Sequence, residues 1–422
     1  MPISSGRTPA PFTLLAKPAG AACNLACTYC FYLGKDQLYP DSRLRMTDKV
    51  LKSYIKQLLA SQQAGEVSVA WQGGEPSLMG LDFFQRSVEL VNKYKRPGQR
   101  VAYSLQTNGT LLDDDWCAFF KQHDFLIGLS LDGPAEMHNT YRVDKGGQGS
   151  FGQVRRGWDL LQKHDVDTNI LCAVHAMNAS HPLEVYHFFR DTLQARFIQF
   201  IPIVERRMPG TRLQAVKGER SLAREQNTLP LREDHLVSNC SVKPRQYGSF
   251  LIEIFEDWVH HDVGTVFVQT FDSALASWSH FPASVCISQE VCGFSLVLEH
   301  NGDLYSCDHF VEAAHRLGNI LETPLVELAS LPRQHQFGLD KLDRLPADCR
   351  GCDVLFACHG ECPRNRFINY SAAGATGDAD QGLNYLCAAY QLFFHHVDRP
   401  MQIMANLLRR GQAPAEIMQM ES

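Results

Sequence analysis

The sequence predicts an α/β fold, an open, partial (β/α)6 barrel followed by a small, mostly irregular α+β domain and a C-terminal helix. Three observations predict it. Six short, mostly apolar segments alternate with stretches of helical periodicity, the pattern of parallel strands buried on both faces. Polar or glycine-rich sequence comes after the strands, and that is the end at which parallel α/β barrels carry their active sites. Eight of the 14 cysteines crowd between Cys286 and Cys387, marking the last third of the chain as chemically different. Six units are too few to close an eight-stranded barrel, so the sheet should stay open.

Phe12–Lys17 reads as the first strand, and it leads into the loop Cys23-Asn24-Leu25-Ala26-Cys27-Thr28-Tyr29-Cys30. Thr47 is placed to cap a helix whose apolar residues, Val50, Leu51, Tyr54, Ile55, Leu58 and Leu59, recur at helical spacing. Val67–Trp71 is the second strand, ending at Gln72-Gly73-Gly74-Glu75-Pro76, and a helix near Leu81–Tyr94 comes next. Val101–Leu105 ends in Gln106-Thr107-Asn108-Gly109; Asp113-Asp114-Asp115 should then cap the next helix, where acidic groups favour the positive end of its dipole. Phe125–Leu129 ends in Ser130-Leu131-Asp132-Gly133-Pro134. A helix near Val154–His164, a strand at Thr168–Val174, a helix near Leu183–Thr192 and a strand at Phe197–Ile203 complete the alternation. The pattern assigns residues 1–235 to the barrel, with 205–244 as a connection or insertion, 245–398 to the cysteine-rich domain, and 399–422 to a helix end and tail. Tyr247–His260 and Tyr385–Arg409 are helical in pattern.

The net charge of −6 gives no electrostatic footprint for nucleic acid or anionic lipid, and no apolar run is long enough to span a bilayer. The N-terminus lacks the apolar centre of a signal peptide, so a cytoplasmic protein is expected. In such a chain 14 cysteines argue for metal or clusters rather than disulfides. Cys117 and Cys172 lie within apolar patterns and read as buried structural thiols. The 17 histidines are scattered, and neither His260-His261 nor His395-His396 has companions at metal-ligand spacing.

Cys23, Cys27 and Cys30 stand at C-x3-C-x2-C spacing. Three thiolates cannot saturate a 4Fe-4S cluster, which normally takes four, so one iron would be left open to an exogenous ligand. Zinc is the alternative, but structural zinc sites are usually closed by four ligands and no neighbouring residue offers the fourth. The later cysteines read Cys286-x5-Cys292-x14-Cys307, Cys349-x2-Cys352-x5-Cys358-x3-Cys362, then Cys387. Eight thiolates suit two fully ligated 4Fe-4S clusters, or two four-thiolate zinc sites.

The first loop resembles the signature of the radical S-adenosylmethionine (SAM) enzymes, and Gly73-Gly74-Glu75-Pro76 is similar to their Gly-Gly-Glu motif. The resemblance implies that SAM completes the open iron. It also assigns SAM contacts to Gly74, Tyr29, Ser130, Arg142 and Val204; a guanidinium such as Arg142 suits a bidentate grip on a carboxylate. The later cysteines resemble a SPASM domain, which implies an inner auxiliary cluster on Cys286, Cys292, Cys307 and Cys362. An outer one would sit on Cys349, Cys352, Cys358 and Cys387, for three clusters in all.

Within that superfamily the chain resembles the anaerobic sulfatase-maturating enzymes from Phe12 to about Val397, and least over 205–244. The resemblance rests on Cys27-Thr28-Tyr29-Cys30-Phe31-Tyr32, Trp71-Gln72-Gly73-Gly74-Glu75-Pro76, Ser104–Thr110, Gly128–Pro134 and Asn301–Phe310. It implies oxidation of a Cys or Ser residue of an unfolded or nascent sulfatase to Cα-formylglycine. A 5′-deoxyadenosyl radical would take hydrogen from Cβ, and Asp308, beside Cys307, would act as general base. Tyr32 and Gln72 would line the substrate, and a flavodoxin or ferredoxin would donate electrons. Two alternatives come with other predictions. A thioether- or carbon–carbon-forming SPASM peptide maturase would commonly carry an N-terminal leader-binding domain, for which a first strand at Phe12 leaves no room. A zinc-bound interaction module would be colourless.

Overall fold

The computed structural model describes residues 12–32, 34–40, 42–62, 65–206, 236–368 and 382–420. Its centre is a sheet in which β1 (Thr13–Lys17), β2 (Glu66–Trp71), β3 (Arg100–Thr107), β4 (Phe125–Ser130), β5 (Thr168–Val174) and β6 (Phe197–Pro202) lie side by side. All five of these pairings are parallel. The helices Asp48–Ser61, Leu81–Tyr94, Asp114–Gln122, Phe151–Lys163 and Pro182–His187 fall between them in the chain. Every strand therefore ends at the same edge of the sheet, as a βαβ alternation requires.

The sheet runs beyond the six predicted strands. At one side β7 (Phe267–Val268) adds parallel to β6. At the other, β8 (Ser295–Glu299) lies parallel to β1 over its whole length, from Thr13 opposite Ser295 to Lys17 opposite Glu299. The antiparallel strands β9 (Asp303–Tyr305) and β10 (Arg316–Asn319) continue it. The order β10-β9-β8-β1-β2-β3-β4-β5-β6-β7 has two free ends, so the sheet is open. The cysteine-rich region is thereby fused to the first barrel strand, which carries its residues to the mouth where β1 ends.

Local chemistry explains where elements start. The Thr47 hydroxyl accepts from the Val50 N–H at 3.4 Å, and the Asp113 carboxylate from the Trp116 N–H at 3.0 Å, as the acidic run predicted. The expected helix over Leu183–Thr192 is in two parts, a helical stretch Pro182–His187 and a wider turn at Phe188–Thr192. Edge-to-face rings fill one side of the sheet, with Tyr54 on Trp71, Trp71 on Phe84 and Phe84 on Trp116. The helix Cys387–Arg409 lays Phe393 against Phe255 and Phe271, seating the C-terminal helix on Pro244–His261.

Most of the connection expected over 205–244, namely residues 207–235, lies outside the described residues, as do residues 1–11. The described ends of the connection meet: Arg206 bridges Val237, and the Ser238 N–H donates to the Glu205 carbonyl at 2.8 Å.

Candidate functional site

The mouth of the barrel is built from the segments at the C-terminal ends of β1, β2, β3, β4 and β5. After β1 the chain turns into the loop of Cys23, Cys27 and Cys30, which neighbouring segments clamp. The Asn108 amide donates to Asn24 Oδ1 at 2.9 Å and approaches Cys23 Sγ at 3.8 Å, while Asn24 donates to Thr110 Oγ1 at 2.8 Å. From the other side, the Ala26 and Thr28 N–H groups donate to the Val143 and Tyr141 carbonyls at 2.8 and 3.0 Å.

Gly73-Gly74-Glu75 packs directly on this loop. The Gly74 and Glu75 N–H groups donate to the Gly20 and Ala22 carbonyls at 2.7 and 2.8 Å. A Cβ on Gly74 would lie 2.0 Å from the Ala22 oxygen, so only glycine fits. Among the described residues nothing donates to the Gly74 carbonyl, which leaves it available to a ligand. Glu75, fully buried, joins this turn to the end of β3: it accepts from Thr107 Oγ1 at 2.7 Å and from the Asn108 and Ser77 N–H groups at 2.7 and 3.0 Å. Burial raises its pKa despite those bonds.

Beyond Ser130, at the end of β4, Asp132 is the hub of a buried cluster. It accepts from the Tyr29 hydroxyl, from Arg142 Nε at 3.0 Å and from the Ala173 N–H at 3.0 Å, with His175 Nε2 at 3.8 Å. Burial alone would raise the Asp132 pKa, but Arg142, His138 and His175 outweigh it and hold the carboxyl below its ordinary value. Arg142 uses only its Nε here. Its two terminal nitrogens have no protein partner among the described residues, although the side chain is only 12% exposed. Tyr29 is committed by its hydroxyl, and its ring packs near His175 and Tyr141. Val204, two residues past the end of β6, is partly buried against the core.

On the β1 side stands Lys17, 1% exposed, whose ammonium lies 2.6 Å from Asp308 Oδ1. This is a close charge contact rather than a well-directed hydrogen bond. Lys17 also donates to Gln72 Oε1 at 3.2 Å and sits 4.0 Å above the Tyr32 ring. Gln72 in turn donates to Gln106 Oε1 at 2.6 Å. The Tyr32 hydroxyl is taken by Glu299, which is 1% exposed and sits beside His300. Three expected substrate-side residues, Asp308, Gln72 and Tyr32, are thus gathered around one buried lysine that sequence reasoning did not single out. A lysine closing an apolar strand was the available signal. The Asp132 and Glu299 partners carried none.

All 14 cysteines are free thiols, and 11 of them fall into three neighbourhoods. Cys23, Cys27 and Cys30 act on one another electrostatically. Cys286 and Cys362 act on both Cys292 and Cys307. Cys349 acts on both Cys358 and Cys387, and Cys352 on Cys387. Burial pushes the Cys27 and Cys362 thiols up to about 12, so thiolates there require an adjacent cation or metal. Among the described residues, no three His, Cys, Asp or Glu side chains converge closely enough for a single metal ion. Grouped but non-converging sulfurs fit a cluster with its irons at separate corners better than a zinc ion. A cavity of about 620 Å³ opens at Cys349, Cys352, Cys358 and Cys387, bordered by Lys243 and Gln391. Among the described residues, no helix is long and apolar enough to cross a membrane.

Two family profiles match the chain. The family profile of the Radical SAM superfamily matches residues 18–189, and that of the SPASM iron-sulfur cluster-binding domain matches 286–353. A serine-type anaerobic sulfatase-maturating enzyme of Bacteroides thetaiotaomicron is 44% identical over 409 residues, 97% of this chain and 94% of that protein. A cysteine-type enzyme of Clostridium perfringens is 34% identical, covering 94% of this chain and all of that one. The structure of native anSMEcpe with bound AdoMet and the Kp18Cys peptide superimposes with a TM-score of 0.79 at 34% identity, covering 94% of this chain and 99% of that one.

Proposed function

This chain belongs to the anaerobic sulfatase-maturating enzymes, radical SAM enzymes that oxidise a residue to formylglycine, and from that premise we propose how its own residues divide the work. Its substrate is a sulfatase segment presented unfolded or nascent, and its target is a serine or cysteine side chain. Serine is the natural target on our reading, because the relative at 44% identity is of the serine type, while other serine-type and cysteine-type enzymes are level at 35% and 34%.

Cys23, Cys27 and Cys30 would hold a 4Fe-4S cluster with one iron left for SAM, and that pair, when bound, would supply a 5′-deoxyadenosyl radical able to take hydrogen from Cβ. The open Gly74 carbonyl would accept from the SAM amino group, and the two terminal nitrogens of Arg142, which have no hydrogen-bond partner among the described residues, would grip its carboxylate. Ser130 and Val204 border the remainder, and Tyr29 contributes its ring or backbone, since its hydroxyl is occupied. Cys286, Cys292, Cys307 and Cys362 would hold an inner auxiliary cluster, and Cys349, Cys352, Cys358 and Cys387 an outer one.

Asp308 takes the proton from the target's Oγ or Sγ, and the electron then left on the residue passes to an acceptor, which completes the two-electron oxidation. The observation that carries this is the Lys17–Asp308 contact at 2.6 Å. It fixes a carboxylate from the cysteine-rich domain at the end of the first barrel strand, next to the cluster loop. Lys17 occupies one carboxylate oxygen, and the other has no hydrogen-bond partner among the described residues, so it can face a substrate proton. Gln72 and the Tyr32 ring border the same place. Electrons come from a small redox protein such as flavodoxin or ferredoxin, and the enzyme works in the cytoplasm.

The test is anaerobic incubation of the reconstituted enzyme with reductant, SAM and a sulfatase-motif peptide carrying Ser or Cys, with the peptide mass measured afterwards. Formylglycine leaves the serine peptide two hydrogens lighter. The cysteine peptide loses sulfur and two hydrogens and gains one oxygen. Release of 5′-deoxyadenosine with both peptides intact would redirect the substrate to another peptide, the crosslinking maturases being next in line.

A further inference from the structure

The eight cysteines of the auxiliary sites account for the thiolates but not for a buried cation between them. Arg366 is 5% exposed and opens the short strand β11 (Arg366–Ile368), paired with β12 (Leu383–Asn384). Its guanidinium is held by carbonyls: Nε donates to Gly360 at 2.9 Å, Nη1 to Lys341 at 2.6 Å, and Nη2 to His359 at 3.1 Å. His359 and Gly360 belong to the turn that separates Cys358 of one thiol group from Cys362 of the other.

That turn is shaped around the guanidinium. His359, Gly360 and Glu361 all have positive φ, at 47°, 68° and 50°, three left-handed residues in succession of which two are not glycine. The turn aims its carbonyls at Arg366, and a Cβ on Gly360 would meet Arg366 Nη2 at 2.7 Å. Such backbone is retained where something over-determines it.

No carboxylate lies within ion-pair distance of Arg366 among the described residues. Glu361 acts on it from further away, and its carboxylate is taken by the Asn384 and Asn365 amides at 2.6 and 3.2 Å. The other groups whose negative charge would act on Arg366, once they are thiolates, are cysteines of both groups, Cys349 and Cys358 on one side and Cys362 on the other. Lys341 is a related case with one-sided reach. It is fully buried and donates to the Cys286, Ile287 and Gln289 carbonyls, and the cysteines whose thiolate charge would act on it, Cys286, Cys292 and Cys362, belong to the inner group.

A cation buried without a paired anion is heavily penalised, and backbone carbonyls offset only part of the cost. We propose that Arg366 is the shared counter-charge of the two auxiliary clusters, held between them by the Cys358–Cys362 turn, with Lys341 serving the inner cluster alone. A four-thiolate 4Fe-4S cluster is anionic and becomes more so on reduction. A fixed cation between two of them therefore raises both reduction potentials together and eases the sequential loading of negative charge on adjacent centres. Arg366 is a positioning and tuning residue, and it touches no reacting atom. The inference rests on the cluster reading of the eight cysteines.

The experiment uses the anaerobic holoenzyme, with iron and sulfide counted per chain and the auxiliary clusters titrated by EPR against potential. Arg366→Gln with full iron should lower both auxiliary midpoints by about tenfold in the reduction equilibrium, about 59 mV for one electron. Lys341→Met should lower only one. Full iron with neither midpoint moved by Arg366→Gln, or only one moved, overturns the proposal. If Arg366→Gln does not load iron, Arg366→Lys decides. Charge retained should load both clusters with midpoints near those of the parent, and failure of this variant to load overturns the proposal by making the guanidinium a packing element. Wild-type protein with iron for one cluster and zinc on the other thiols overturns the underlying cluster reading instead.

Discussion

Replacing Lys17 by Met keeps the length and apolar stem of the side chain and removes the ammonium that holds Asp308. The pair is buried on one side and partly open on the other, with Lys17 1% and the Asp308 side chain 21% exposed. Stripping one partner from a buried pair costs about 3–5 kcal/mol, most of it for the charge left behind. Asp308 can recruit water through its open side, so the lower end, about 3 kcal/mol, is the relevant figure. Lys17 also donates to Gln72, and its loss frees that amide to turn. If Asp308 is the base, this disorder falls on proton removal more than on SAM binding, since the ammonium makes no hydrogen bond to Arg142 or to residues 73–75 among the described residues and only the Lys17 backbone and Cβ lie against Gly73. A misplaced base that raises the barrier by about 3 kcal/mol slows proton removal roughly a hundredfold. The assay measures formylglycine and 5′-deoxyadenosine in the same reaction. Lys17→Met should make 5′-deoxyadenosine with the formylglycine yield per SAM cleaved reduced by about a hundredfold. Lys17→Arg should recover much of it. An unchanged ratio of the two products in Lys17→Met would refute the claim that this contact positions the base.

The same geometry sets other outcomes. Asp132→Asn leaves Arg142 buried without its anion, and SAM affinity, measured by isothermal titration, should fall by about 10- to 100-fold, the value of one or two charge-assisted hydrogen bonds. Gly74→Ala forces a Cβ to within 2.0 Å of the Ala22 oxygen in the cluster loop; the purified protein should lose the SAM-responsive EPR signal while the auxiliary clusters stay loaded. His138 and His175 are buried, and burial holds their pKa values down at about 3 and about 4. Below about pH 6.5 the unfolded chain takes up protons at these sites that the folded chain refuses, so stability falls as pH drops. Between pH 7 and 5.5 the two together should remove about 2.5 kcal/mol, read as a lower urea midpoint. His138→Gln should abolish about half of that pH dependence, and an unaltered slope would contradict the assignment.

Much of the fold was legible because it rests on local signals. Apolar runs of strand length, the Thr47 and Asp113 caps and the glycines after β2 are all readable within a few residues of one another. The cysteine spacing exposed the cluster chemistry for the same reason. Partners set by long-range pairing escaped. β8 lies along β1 although 282 residues separate Thr13 from Ser295, and only that register brings Glu299 beside Lys17 and carries Asp308 to the barrel mouth. Asp132 read as part of a strand-end turn, because its links to Tyr29 and Ala173 join segments far apart in the chain. The left-handed turn at His359–Glu361 could not be anticipated either. His and Glu do not signal positive φ, and the turn makes sense only around Arg366.

The measurement closest to the central claim uses a sulfatase-motif peptide deuterated at Cβ of its serine, incubated anaerobically with the holoenzyme, reductant and SAM. One deuterium should appear in 5′-deoxyadenosine for each peptide converted to formylglycine, with Asp308→Asn retaining label transfer but losing the aldehyde. Unlabelled 5′-deoxyadenosine, with the peptide unchanged, would contradict it.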